Sequence, residues 1–281
     1  MEPHDSVLRC IVCGLEIDGE GVSEAKPFCC LACANLEASM EMADRHFQQV
    51  VHLASSSQFE RARELLGSTP SLLPELASTD WLRRESAKCL VYVADLQGSL
   101  QDVVAACDVL IRDSKIALAD LALWYQYRAG ALVSLGNSSE AIANYETAID
   151  AASGEHPGSY LGILSDYLDL ANRCGHSLPE RYASLRGDLL RYYYGDAVPA
   201  DLLHGSDCEQ LQHVVSSLVA AHRRYFQVSV ECRRLARMPE TMRPACELLL
   251  SYISTEEVSA LRSKAQTDLD SLRLQIPTDE R

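Results

Sequence analysis

The chain has 281 residues, 47% apolar and 23% charged, the balance of an ordinary folded protein with enough length for one large or two modest domains. Its 25 basic against 40 acidic side chains give a formal charge of -15, which opposes non-specific attraction to phosphate backbones and anionic lipid. Eleven cysteines are present, and five of them (Cys10, Cys13, Cys29, Cys30 and Cys33) crowd into the first 33 positions. The opening MEPHDSVLRC is broken by Pro3, Asp5 and Arg9 and carries no apolar core of a secretory signal. No segment approaches the ~20 apolar residues of a membrane helix. A cytoplasmic protein without membrane insertion is therefore expected, and in that reducing setting clustered cysteines point to metal or redox chemistry rather than to disulfides.

The front segment, residues 1–36, reads as a cysteine-rich metal module. Cys10-x2-Cys13 and the group Cys29-Cys30-x2-Cys33 form two knuckles separated by a loop long enough to let them converge on one ion. Four soft thiolates suit a single tetrahedral Zn2+, and Gly14 permits the tight turn in which amides face the sulfurs. Spacing alone allows either Cys29 or Cys30 beside Cys10, Cys13 and Cys33. The stretch from Cys10 to about Ser39 resembles the treble-clef zinc modules with Cys-x2-Cys-Gly followed by Phe-Cys-(Ser or Cys)-x-x-Cys, including FCS-type and TRASH-like fingers. It is also similar to the short metal-binding module at the front of some heavy-metal transport ATPases, except that Ala32 stands where that family has glycine. The FCS and TRASH resemblance implies Cys29 and Cys33 as the second pair, with Cys30 at the Ser position as a spare thiol. Such a module is too small for a core of its own, so the ion drives its folding.

Residues 37–195 show apolar residues at helical spacing and no alternating strand pattern, which predicts an all-α body. Ala141, Ile142, Tyr145, Ala148 and Ile149 share one stripe while Glu140, Asn144 and Glu146 face away, with Ser138 or Ser139 as the cap. The segment Leu123 to Ala152 resembles a tetratricopeptide repeat: small Ala129 at the helix crossing, the turn Leu135-Gly136, then Glu140-Ala141-Ile142, Tyr145 and Ala148. Weaker copies place turns at Gly98 and Gly175, with an earlier one near Ser57. The resemblance implies a solenoid of about four helical hairpins with a concave binding face.

Residues 196–207 collect Gly, Pro and Asp and read as a linker, and 208–276 as a C-terminal helical segment that extends or caps the solenoid, ahead of a frayed tail at 277–281. Cys208 to Ala236 predicts one long helix carrying Leu211, Val214, Val215, Leu218, Tyr225 and Phe226. Pro239 is expected to start another, and Thr255 to cap a last one.

Several isolated residues compete for a role. Cys89, Cys107, Cys174, Cys208, Cys232 and Cys246 sit in apolar helical patterns and read as packing residues, with Cys208 the one to watch for reactivity. His46 and His52 are the nearest extra soft ligands, at an awkward spacing for one helical face. Trp81 and Trp124 read as inter-helix packing. Arg223, Arg234 and Arg237 lie near one stripe of a continuous helix, either a solvated, salt-bridged face or a docking patch for an acidic peptide or phosphate group. No phosphate-binding loop, nucleophile elbow or zincin helix occurs, so no enzyme is expected. The expected function is a zinc-binding adapter that holds a protein or peptide partner on its helical surface and does not bind nucleic acid. Metal carriage by the front cysteines, or a zinc-thiolate redox switch, are the other two functions these residues support.

Overall fold

The computed structural model describes residues 31–113, 116–152, 157–202, 207–237 and 241–275. Among them every regular element is helical and no strand occurs: α1 (Leu31–Ser55), α2 (Phe59–Leu72), α3 (Asp80–Gln97), α4 (Leu100–Ile111), α5 (Leu118–Ser134), α6 (Ser138–Ala152), α7 (Pro157–Cys174), α8 (Ala183–Tyr194), α9 (Asp207–Leu235), α10 (Met242–Thr255) and α11 (Ser259–Gln275). Short 3-10 turns at Glu180–Tyr182 and Ala200–Leu202 complete the set. The residues form two compact units, one reaching to Ile116 together with Gly130–Gly136, the other made of Ala117–Ala129 and the chain from Asn137 onward.

Three helix ends are built alike. After α1, the amide of Gln58 donates to Leu53 O and that of Ser57 to Ala54 O; after α3, Ser99 donates to Ala94 O and Gly98 to Asp95 O; after α7, His176 donates to Ala171 O and Gly175 to Asn172 O. Each is the paired bond of a Schellman cap, which forces the residue after the helix into the left-handed region and recovers carbonyls that would otherwise lose partners. Gly98 (φ 75°), Gly136 (φ 81°) and Gly175 (φ 64°) accept that conformation without a Cβ penalty, and Ser57 (φ 59°) is the sole non-glycine with positive φ among the described residues. Gly136 carries the shorter of the two bonds, to Val133 O. All four turn positions picked out by the sequence period are thus sharp helix stops. The period proceeds by 41, 38 and 39 residues (57 to 98, 98 to 136, 136 to 175).

In the first unit α1 packs on both α2 and α3, α2 on α3, and α3 on α4. Ala43, Phe47 and Val50 of α1, Ala62 and Leu66 of α2, and Leu82 and Val93 of α3 share one core, with Trp81 against it at 6.3 Å from Phe47. His46 Nε2 donates to Leu65 O (2.8 Å), tying α1 to α2, and His52 is exposed. Arg63 of α2 reaches Asp102 Oδ2 of α4 at 2.7 Å and Arg84 of α3 reaches Asp113 at 3.2 Å.

In the second unit the α6 stripe is buried as expected, Ala141, Ala148 and Ile149 completely. Asn144, expected to face solvent, is buried too: it donates to Glu140 O (2.7 Å) and accepts from Arg128 of α5 (3.1 Å), which also pairs with Glu140 at 2.7 Å. An inward amide is tolerated because both its polar ends are satisfied. The helix starts at Ser138, so the residue ahead of it is Asn137, whose amide donates to Glu140 (2.8 Å); the expected Ser caps lie inside the first turn. Glu146 gathers Tyr167 (3.2 Å), His176 (3.4 Å) and Arg181 (3.3 Å), joining α6 to α7 and to the 3-10 turn before α8. Tyr160, Tyr167 and Tyr193 are among its largest buried side chains, with Leu164, Leu189, Leu211, Leu218 and Leu249.

α9 runs unbroken over 29 residues and packs on α7, α8, α10 and α11. Within the 196–207 stretch, Leu202 is buried and its carbonyl accepts from Arg186 at 2.7 Å. α10 is described from Met242, and Pro239, the expected start, lies outside the described residues. Thr255 is the last residue of α10, its hydroxyl turned back to Ser251 O, and the start of α11 is held by buried Glu256, whose carboxylate takes the amide of Val258 at 3.1 Å. A carboxylate at a helix start also meets the positive end of the helix dipole.

Candidate functional site

Cys10, Cys13, Cys29 and Cys30 lie outside the described residues. Cys33 falls in the first turn of α1, with its side chain also outside the description. Among the described residues no group of three or more His, Cys, Asp or Glu is arranged to hold a metal ion. No described helix is long and apolar enough to cross a membrane.

The other cysteines divide by environment. Cys107, Cys232 and Cys246 are buried and Cys89 is half-buried, in keeping with packing roles. Burial pushes the Cys89 and Cys232 thiols up to about 11, far from the thiolate form that reacts. Cys174 departs from the expectation: it is the last residue of α7 and is exposed, because the helix stop at Gly175 leaves that end uncovered.

The described surface with the most concentrated chemistry is α9. Residues 210–237 hold five arginines and a single acid, Glu231, in a chain whose total charge is -15. Two of the five are spoken for within the fold. Arg224 pairs with Glu256 (3.2 Å), and Arg234 grips Glu231 with two bonds (2.6 and 2.8 Å) that hold its carboxyl below the usual carboxylate range. Arg233 donates to Ser229 Oγ at 3.2 Å and keeps its exposed guanidinium edge toward solvent. Arg223 and Arg237 are exposed, and among the described residues no acidic side chain pairs with them. Of the three arginines singled out by spacing, two are therefore open and one is bridged within its own helix.

Phe226 lies on the long helix the sequence predicts. It is 65% exposed, and Val230, one turn on, is 47% exposed. At ~100° per residue the buried positions Val215, Leu218, Tyr225, Ser229 and Cys232 occupy an arc of about 100°, and Phe226 and Val230 fall about 20° and 60° outside it, on the side of the open arginines. Their position follows from the helical period.

Beside this stripe a groove of about 420 Å³ lies between α9 and α11, with Leu249 of α10 at its base. Tyr225, Phe226, Leu249 and Leu272 provide its apolar wall; Arg233 and Lys264 are its cations. Lys264 Nζ stands 5.2 Å from the centre of the Tyr225 ring, and the Tyr225 hydroxyl donates to Asp268 at 2.5 Å, so the acid that lines the groove is already engaged. His222 is hydrogen-bonded to Tyr193 (2.9 Å), and burial, assisted by nearby Lys264, lowers its pKa. The groove presents cations, a short apolar wall and an exposed aromatic rim.

Comparison with family models, with curated proteins and with solved structures finds no match to this chain.

Proposed function

We propose that this protein is an interaction scaffold: a tetratricopeptide-like helical body that binds a protein partner, fronted by a zinc module in which Cys10, Cys13, Cys33 and either Cys29 or Cys30 hold one structural ion. The observation that carries the proposal is the recurrence of left-handed helix stops at 57, 98, 136 and 175, each placed by the same sequence period. Helix packing inside the first unit adds support, since α1 meets both α2 and α3 while α2 meets α3, the order in which stacked hairpins bury faces that one hairpin leaves open. Side-chain choice supports it further. The titratable groups around Glu146 and Tyr167 are bonded to one another and join helices, and α9 offers exposed cations to a partner. Spacing and thiolate softness support zinc, the metal whose removal would unfold the front module.

The test is affinity capture with the full chain as bait, followed by light scattering of the eluted complex. A protein partner at fixed stoichiometry is expected. Recovery of the chain alone, or of nucleic acid in place of protein, overturns the proposal. Elemental analysis of the purified chain should find one zinc per molecule, and a value near zero removes the zinc assignment.

A further inference from the structure

We infer that the partner is an acidic amphipathic peptide segment that docks along the exposed stripe of α9 and places an apolar side chain in the groove between α9 and α11; this rests on the scaffold reading above. The stripe has the right parts in the right order. Arg223 of α9 and Arg237, two residues past the helix's last residue Leu235, stand at its ends, 14 residues apart in sequence. Phe226 and Val230 lie between them, and Arg233 with Lys264 rims the groove that opens beside Phe226. A large exposed aromatic next to a preformed cavity, with a second apolar residue one turn on, is the form an interface anchor takes.

Charge decides what covers it. Glu231 is paired with Arg234, and Asp268, bonded to the Tyr225 hydroxyl, keeps its charge in the groove that also holds Lys264, while among the described residues Arg223 and Arg237 meet no acid. A partner that brings carboxylates to the two ends and a leucine or aromatic to the middle satisfies both kinds of surface at once. About four turns of helix match the length of the stripe, which is the groove mode of peptide recognition. A nucleic-acid strand fits less well: its evenly spaced phosphates would meet the apolar centre, and the rest of the chain is strongly acidic.

The test is selection of random 16-residue peptides displayed on phage against the full-length protein, with the enriched peptides then synthesised, labelled and titrated by fluorescence anisotropy. Enriched sequences should carry acids flanking a leucine or aromatic at helical spacing. Their affinity should fall roughly tenfold or more in Phe226→Ala, fall further in Arg223→Glu/Arg237→Glu, and weaken as NaCl is raised. Both sets of substitutions are at exposed positions, and far-UV dichroism verifies that the variants remain folded. Enrichment of neutral or basic peptides, failure to enrich any peptide, equal binding by both variants, or displacement by duplex DNA at equal mass would overturn the inference. If these fail while affinity capture still returns a stoichiometric protein, the scaffold stands and its docking face lies elsewhere. If neither experiment returns a partner, both fall.

Discussion

The same substitution, glycine to alanine, should have opposite signs at positions that differ only in backbone conformation. Gly175 sits at φ 64° and Gly98 at φ 75°, whereas Gly187 lies inside α8 and Gly67 inside α2. A Cβ built on any of the four meets no neighbouring atom within 4 Å, so sterics with the rest of the protein drop out and the backbone alone decides. In the left-handed region an L side chain costs about 1–2 kcal/mol, of which alanine's stiffer unfolded chain returns about 0.4–1. Gly175→Ala and Gly98→Ala should therefore each destabilise by about 1 kcal/mol. In a helix interior alanine is better than glycine by about 0.8–1 kcal/mol, so Gly187→Ala and Gly67→Ala should stabilise by that amount. The pairs are matched by unit: 98 and 67 belong to the first, 175 and 187 to the second. The contrast within each pair is about 2 kcal/mol, roughly a thirtyfold ratio of folding constants. Urea unfolding followed by dichroism and by fluorescence of Trp81 and Trp124 measures it. A Gly175→Ala or Gly98→Ala protein as stable as the parent, or a destabilised Gly187→Ala, would refute the assignment of these turns.

Ser57→Gly should stabilise the first unit by about 0.5–1 kcal/mol, since serine there bears the left-handed penalty that glycine avoids; an unchanged urea midpoint would contradict it. Arg128→Met should cost about 1–3 kcal/mol by leaving the buried Asn144 oxygen without its donor, and a neutral effect on thermal unfolding would show that Asn144 needs no partner. Hydrogen bonds from Ser99 and then Arg63 hold the Asp102 carboxyl below its ordinary value, so its contribution is complete above about pH 4 and is lost as the pH falls through the depressed folded pKa. Asp102→Asn should accordingly lose less stability than the parent between neutral and acid pH, and parallel pH profiles would contradict this. Burial raises Tyr145, Tyr160 and Tyr193 to about 12, so their contribution is whole below about pH 10 and disappears as the pH climbs through that value. Tyrosinate absorbance from these residues should appear only together with loss of dichroism; its growth in a chain that stays folded would show they are not buried.

The parts of this fold that the sequence made legible are those decided locally. A left-handed helix stop needs a residue that tolerates positive φ and a following turn of defined length, and glycines at 98, 136 and 175 advertise both; Ser57 was found only through the period, since serine by itself signals nothing of the kind. The α6 stripe was equally plain because five apolar residues at helical spacing have one way to be buried. What remained hidden depends on neighbours. Asn144 goes inside because Arg128 on another helix supplies its missing bond, and Phe226 stays outside because no packed helix covers that edge of α9. Helix starts shifted for a related reason: Asn137 and Glu256 hold the termini expected of Ser138 and Thr255, and competition among adjacent polar residues is settled by the turn that precedes them. The arginine stripe was visible as spacing, whereas the division into bridged Arg234 and open Arg223 and Arg237 needed the position of Glu231 and its bonds.

The measurement that bears most directly on the scaffold proposal is the mass and composition of what the full-length chain retains from its native source, determined by light scattering after affinity capture. A complex of fixed stoichiometry containing a protein with an acidic, amphipathic segment is the predicted result. A chain that elutes at its own mass, with no protein retained, would contradict the account.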